Sequence, residues 1–233
     1  MNLVGQFSVE LSTVVIFILS TVLAGFLTRN YVQRKSRNYL FWSIGLWLFS
    51  VGVLEEIIFS LGYYDQFLIK SYLGVVAVLV ESLALGSIQM VKSEKVRNAY
   101  YLYAVLTTIA TIYILSSVSI GNVLINYVVF GALPLSVIVV SSVITFPAAA
   151  IIVVTAALSY RKSRSYKMLS IISGVIVVSI AGSLYIAEFP AFLYFSEFAG
   201  ILLLWLGFYS FRKSPKLVEN PGLSAVSEGS KRP

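Results

Sequence analysis

The sequence predicts an all-α fold: a polytopic integral membrane protein built as a bundle of seven transmembrane helices, N-terminus outside and C-terminus cytoplasmic. Three observations predict it. Of 233 residues, 58% are hydrophobic and only 12% are charged, whereas a soluble domain carries about 25% charged residues. Apolar stretches recur along the chain, each near the ~20 residues that a helix needs to cross hydrocarbon. Sixteen of the 17 Lys and Arg residues fall into four clusters that occupy every second gap between those stretches, as cytoplasmic loops do.

The seven spans are placed at Val9–Leu27, Tyr39–Leu61, Tyr72–Val91, Ala99–Ser117, Pro134–Leu158, Met168–Ile186 and Ala191–Phe211. No basic residue precedes the first and no small-residue cleavage site follows it, so it reads as a retained span behind a short outside tail, Met1–Glu10. The basic clusters follow the first, third, fifth and seventh spans. They are Arg29, Arg34, Lys35 and Arg37; Lys92, Lys95 and Arg97; Arg161, Lys162, Arg164 and Lys167; and Arg212, Lys213, Lys216, Lys231 and Arg232. Lys70 stands alone, in the outside connection Gly62–Ser71. The other outside connections are Val118–Leu133 and Ala187–Pro190. Within the former, Val123–Phe130 is apolar but too short to span, and reads as an interfacial or re-entrant piece.

Pro147 falls near the middle of the fifth span, where it removes one backbone hydrogen bond and marks a hinge. Ser141, Ser142 and Thr145 stand just before it, in reach of the freed carbonyl. Residues 1–211 form one transmembrane domain. Residues 212–233, with Pro215, Pro221, Gly222 and Gly229, carry no helical period and read as a flexible cytoplasmic tail.

The chain has no Cys and no His. That excludes imidazole or thiolate zinc sites, His-held haem, Cys nucleophiles and Ser-His triads. Asp65 is the sole Asp, so a pair of intramembrane aspartates is excluded as well. The final span has no Lys, which sets the chain apart from the retinal-binding microbial rhodopsins. No glycine-rich phosphate loop is present. No cofactor, metal or enzymatic reaction is therefore implied. The net charge of +7 is accounted for by the topology, and direct nucleic-acid binding is not indicated. The aromatic clusters Tyr63-Tyr64, Tyr100-Tyr101-Tyr103 and Phe192–Phe195 read as interfacial belts.

What remains is acidic. Glu10, Glu55, Glu56, Asp65, Glu81, Glu188 and Glu197, seven of the ten acidic residues, fall in or beyond the outer half of the predicted bundle. Four of them, Glu55, Glu56, Glu81 and Glu197, are inside spans, where an uncompensated carboxylate costs about 2.5–3.5 kcal/mol. Counted from the outer span ends, Glu81 lies roughly 14 Å deep and the others roughly 10 Å, so a single acidic layer is expected. Glu81 shares a stripe of small residues with Gly74, Ala77 and Ala84; Glu197 does so with Gly200 and Gly207; Glu56 lines up with Gly45 and Gly52. Glu55 and Glu56 point about 100° apart, so only one, Glu56, is expected to face the heart of the bundle. No basic residue inside any span can neutralise these groups. They must be held by interhelical hydrogen bonds, by contacts to a partner subunit, or in a wet cavity that carries protons or cations. Gln89, deeper on the third span, is a candidate inner relay.

Three function classes are compatible with these residues. One is a membrane conduit or transport component for a proton, small cation or larger cargo, with an outer acidic cavity and Pro147 as hinge. Another is a non-catalytic subunit of a respiratory or macromolecule-translocation complex, joined to other membrane subunits or to a cytoplasmic motor docked on the basic loops. The last is a sensor of pH or of a small ligand. In each the chain resides in the cell membrane, with the lipid bilayer as its first partner.

Overall fold

In the computed structural model the described residues are 3–63, 65–120, 124–125, 128–129, 133–163, 170, 173–174, 177 and 190–210. They form an all-α architecture of six helices. These are α1 (Leu3–Arg34), α2 (Arg37–Ser60), α3 (Gln66–Ile88), α4 (Glu94–Ser117), α5 (Leu135–Ser163) and α6 (Pro190–Ser210). The first five are long and apolar enough to cross a membrane. Of the expected span Met168–Ile186, only Ser170, Ser173, Gly174 and Val177 are described, all helical; the rest of it, Glu188 and the expected tail 212–233 lie outside the described residues.

The turns between helices have local causes. Lys35 takes a left-handed conformation, φ 50°, and its N–H bonds the Tyr31 carbonyl at 2.7 Å, which closes α1 before α2 begins two residues later. Gly62, φ 82°, ends α2 in the same way. Asp65 caps α3, its carboxylate accepting from the Leu68 N–H at 2.7 Å. This cap starts α3 a turn and a half earlier than the apolar pattern suggested. Lys70 is therefore a residue of the helix and not of the preceding loop.

Helix α2 is sandwiched between α1 and α3; α3 also meets α4 and α5, and α6 packs on α1. Close contacts are made through glycines. At Gly86 of α3 the indole of Trp42 occupies the space that a Cβ would take, and a Cβ on Gly45 of α2 would lie 2.8 Å from Leu83. Gly174 sits against Gly200, Leu203 and Leu204 of α6, and Ser170 donates to the Leu203 carbonyl at 2.7 Å. The chain's three tryptophans each donate across a helix interface. Trp42 bonds Ser87 at 3.3 Å, Trp47 bonds Thr28 at 3.1 Å, and Trp205 bonds the Leu19 carbonyl at 3.2 Å.

These contacts gather the basic loops at one end. Arg34 of α1 lies over the Tyr39 ring of α2, Phe41 of α2 meets Tyr101 of α4, and Ser159 near the end of α5 approaches Met90 after α3. Arg29, Arg34, Lys35, Arg37, Lys92, Lys95 and Arg161 are all exposed there. At the opposite end, Phe59, Ile69, Leu115, Ile120 and Val137 form a buried apolar cluster. Beside it, Leu124–Ile125 pairs antiparallel with Val128–Val129, and the second segment touches α2. The region expected as an interfacial or re-entrant piece thus carries a short extended pairing in its described residues.

Candidate functional site

All four glutamates expected inside spans are buried, Glu55 at 6% exposure, Glu56 at 7%, Glu81 at 2% and Glu197 at 8%. Both Glu55 and Glu56 are enclosed, and Glu56, the one expected to face the heart of the bundle, is the one that meets Glu197. Because α2 has helices on two sides, side chains 100° apart can both be enclosed.

Glu56 of α2 and Glu197 of α6 form the first group. Their carboxyls are close enough for their charges to interact, and Glu55 bears on Glu56 in the same way. The Tyr72 hydroxyl of α3 donates to Glu56 Oε1 at 2.7 Å, and Ser71 approaches Glu55. Among the described residues, one oxygen each of Glu55, Glu56 and Glu197 is buried without a hydrogen-bond partner. The group lies between two apolar layers. Toward the basic end are Leu23, Leu27, Trp42, Leu46, Ile201 and Leu204; toward the other is the cluster around Phe59.

Glu81 does not belong to this group. It stands nine residues beyond Tyr72 on α3, about 13 Å along the helix axis, while Tyr72 is the residue that reaches Glu56. Its face of α3 is turned elsewhere. Gly74 meets Leu115 of α4, and Ala84 packs with Tyr100 of α4 and Ala148 and Ile152 of α5, whereas Leu79, Leu83 and Gly86 face α2. The expected single acidic layer is therefore two sites at different depths. The apolar pattern had placed the outer end of α3 at Tyr72, which made Glu81 look level with the others.

Around Glu81 the neighbours come from α4. Tyr100, itself 7% exposed, faces the carboxyl, and Tyr103 lies within electrostatic range. Among the described residues both Glu81 oxygens and the Tyr100 hydroxyl lack a hydrogen-bond partner. The Tyr100 and Tyr103 rings stack at 5.8 Å. Tyr103 in turn donates to the backbone carbonyl of Val143 on α5.

Val143 precedes Pro147 by four residues, so its carbonyl is the one that the proline leaves without a helical donor. The donors expected to serve it were Ser141, Ser142 and Thr145. Thr145 is turned back to the Ser141 carbonyl at 2.9 Å, and the partner of Val143 comes from another helix. Gln89, at the end of α3, donates to the Leu85 carbonyl at 3.1 Å and to the Tyr101 hydroxyl, near the basic end.

Tyr72, Tyr100 and Tyr103 were not legible as site residues. In the sequence, Tyr100 and Tyr103 look like a belt at a span end; in the structure α4 begins at Glu94, so both lie more than a turn inside the helix. Their spacing of three, on one helical face, was the available signal. Among the described residues no three acidic side chains converge as a metal-binding group. Comparison with protein-family models, curated proteins and solved structures gave no match.

Proposed function

We propose that this chain is a transport component of the cell membrane that conducts a proton or small cation, with Glu56 and Glu197 as the paired carboxyls of its central site. The observation that carries the reading is the first acidic group, where buried carboxyls from two helices act on one another and, among the described residues, no basic side chain pairs with them. Such groups inside a membrane are costly, and a mobile cation or proton is the simplest means of compensating them. Glu55 supplies a third carboxyl at the edge of the pair, and Glu81 an additional acidic position toward the middle of the bundle.

The gathering of the basic loops at one end supports an orientation with that end cytoplasmic and the N-terminus outside. Seven spans satisfy the same alternation. In that frame the Phe59 cluster is an outer apolar gate, and the layer around Leu46 and Leu204 an inner one.

Reconstitution into proteoliposomes tests the reading directly. A pH-sensitive dye and a Na⁺- or K⁺-sensitive dye trapped inside report which ion moves. Glu56→Gln and Glu197→Gln should each lower flux at least about tenfold, equivalent to ~1.4 kcal/mol in a rate-limiting barrier. Glu94→Gln, at an exposed surface ion pair, should not. Equal flux in empty and protein-containing vesicles would overturn the proposal.

The basic end favours a second reading. Seven exposed cations accompany a single described acidic residue there, Glu94, which suits an acidic soluble partner or another subunit. On that reading the chain is a non-catalytic membrane subunit, and a stoichiometric partner should co-purify from native membranes in mild detergent.

A further inference from the structure

We propose that Glu81 and Tyr100 form a second proton site, separate from the Glu56–Glu197 pair, whose occupancy is transmitted through Tyr103 to the backbone of α5 at Pro147. The proposal extends the conduit reading but stands on different residues.

The site is built from one carboxyl and one phenol. Glu81 is 2% exposed and Tyr100 7%, they face each other from α3 and α4, and among the described residues neither has a hydrogen-bond partner other than the opposing group. A proton needs only one oxygen of Glu81. The O–H bond forms on Oε1 or Oε2, the carboxyl becomes neutral, and the new hydroxyl can donate to the Tyr100 oxygen. The alternative state places the Tyr100 hydroxyl as donor to the carboxylate. The two states reverse the direction of one hydrogen bond, and the charge-assisted bond to the carboxylate is the shorter of the two, which draws the Tyr100 ring toward Glu81. Among the described residues the titratable groups that face Glu81 are Tyr100 and Tyr103, both from α4.

Transmission follows from three contacts in series. The Tyr100 ring stacks on Tyr103 at 5.8 Å with planes 24° apart, so displacement of one moves the other. Tyr103 supplies the hydrogen bond that the Val143 carbonyl lacks because of Pro147. Val143 is 44% exposed toward the outside of the bundle, where an unpaired carbonyl would meet hydrocarbon. Beyond Val143, away from the basic end, α4 and α5 part to leave an apolar groove lined by Leu106, Ala110, Ile114, Val139 and Val143 among others. The half of α5 before Val143 is held at Val137, in the buried cluster with Phe59 and Leu115, and the half beyond Pro147 at Ala148 and Ile152, which pack on Ala84 and Tyr100. Tyr103 thus acts as a latch between α4 and α5 at the proline that divides α5 into two halves, beside the groove.

Two measurements test this without a flux assay. Infrared difference spectra should show a protonated-carboxyl band that disappears in Glu81→Gln and shifts in Tyr100→Phe. Spin labels on cysteines replacing exposed Ile109 and Val139 report the α4–α5 separation, and the chain has no native Cys to interfere. Tyr103→Phe should shift or broaden this distance by about 2 Å or more. Adding Pro147→Ala, which returns an N–H to the Val143 carbonyl, should reverse the change. Glu81→Gln should alter the distance with Tyr103 present and not in the Tyr103→Phe background. A carboxyl band indifferent to both Glu81→Gln and Tyr100→Phe removes the proton site. A 109–139 distance identical in wild type and Tyr103→Phe, or an effect of Glu81→Gln that survives Tyr103→Phe, removes the latch. Should Glu81→Gln fail to fold, Tyr100→Phe and Tyr103→Phe still decide both halves. Loss of flux in Glu197→Gln with this behaviour intact, or the reverse, tells the two proposals apart.

Discussion

The Tyr103 hydroxyl donates to the Val143 carbonyl, joining α4 to α5 at the backbone position that Pro147 leaves open. A proline within a membrane helix is tolerated where a neighbouring group takes over the freed carbonyl, and here that group lies 40 residues away in sequence. Removing the hydroxyl by Tyr103→Phe should lower thermal stability in detergent by about 1 kcal/mol, within the range of interhelical hydrogen bonds in membranes. In a Pro147→Ala background the same change should cost clearly less, because the helix then supplies its own donor. Thermal denaturation of the four proteins of this cycle measures the coupling.

Among the described residues, Tyr72 is the donor to Glu56, at 2.7 Å. Tyr72→Phe leaves the carboxyl without it and should destabilise the protein by about 1–3 kcal/mol, the cost of an unsatisfied buried polar group. Tyr63→Phe, at a residue 71% exposed, is the matched control and should change little. Unfolding in SDS titrations reads both.

Gly86 accommodates the Trp42 indole, so Gly86→Ala introduces a Cβ where the ring lies. Overpacking of this kind costs about 1–3 kcal/mol, and the clash should lift the Trp42–Ser87 bond. A fall in melting temperature together with a changed tryptophan emission is expected. Combining Gly86→Ala with Trp42→Leu should be less damaging than the sum of the two.

The orientation proposed from the basic end is open to cysteine labelling, since any introduced thiol is unique. In intact cells a membrane-impermeant maleimide should modify Tyr63→Cys and leave Lys35→Cys and Lys92→Cys untouched until the cells are opened. The opposite pattern would invert the topology and with it the assignment of outer and inner gates.

Composition and charge alternation were sufficient for the all-α class and for the existence and order of the first five apolar helices, with ends displaced by up to seven residues, as at Leu27 against Arg34. Those properties are set locally, by the need of each segment to satisfy its own backbone in hydrocarbon. Local reasoning also singled out Glu55, Glu56, Glu81, Glu197 and Pro147, because charge and proline are conspicuous in apolar helices. It misjudged depth where a polar cap moved a helix end: Asp65 starts α3 before the apolar stretch, and the apparent level of Glu81 was wrong as a result. Whether two glutamates meet is fixed by the order in which helices pack. That order rests on contacts such as Trp42 with Gly86, and Gly45 with Leu83, in which both partners look ordinary in their own segments. Only the tertiary structure therefore placed Glu56 with Glu197, turned Glu81 toward Tyr100, and brought Tyr103 to the carbonyl freed by Pro147. Each is a relation between side chains on different helices, and helical periodicity within one segment carries no information about its neighbour.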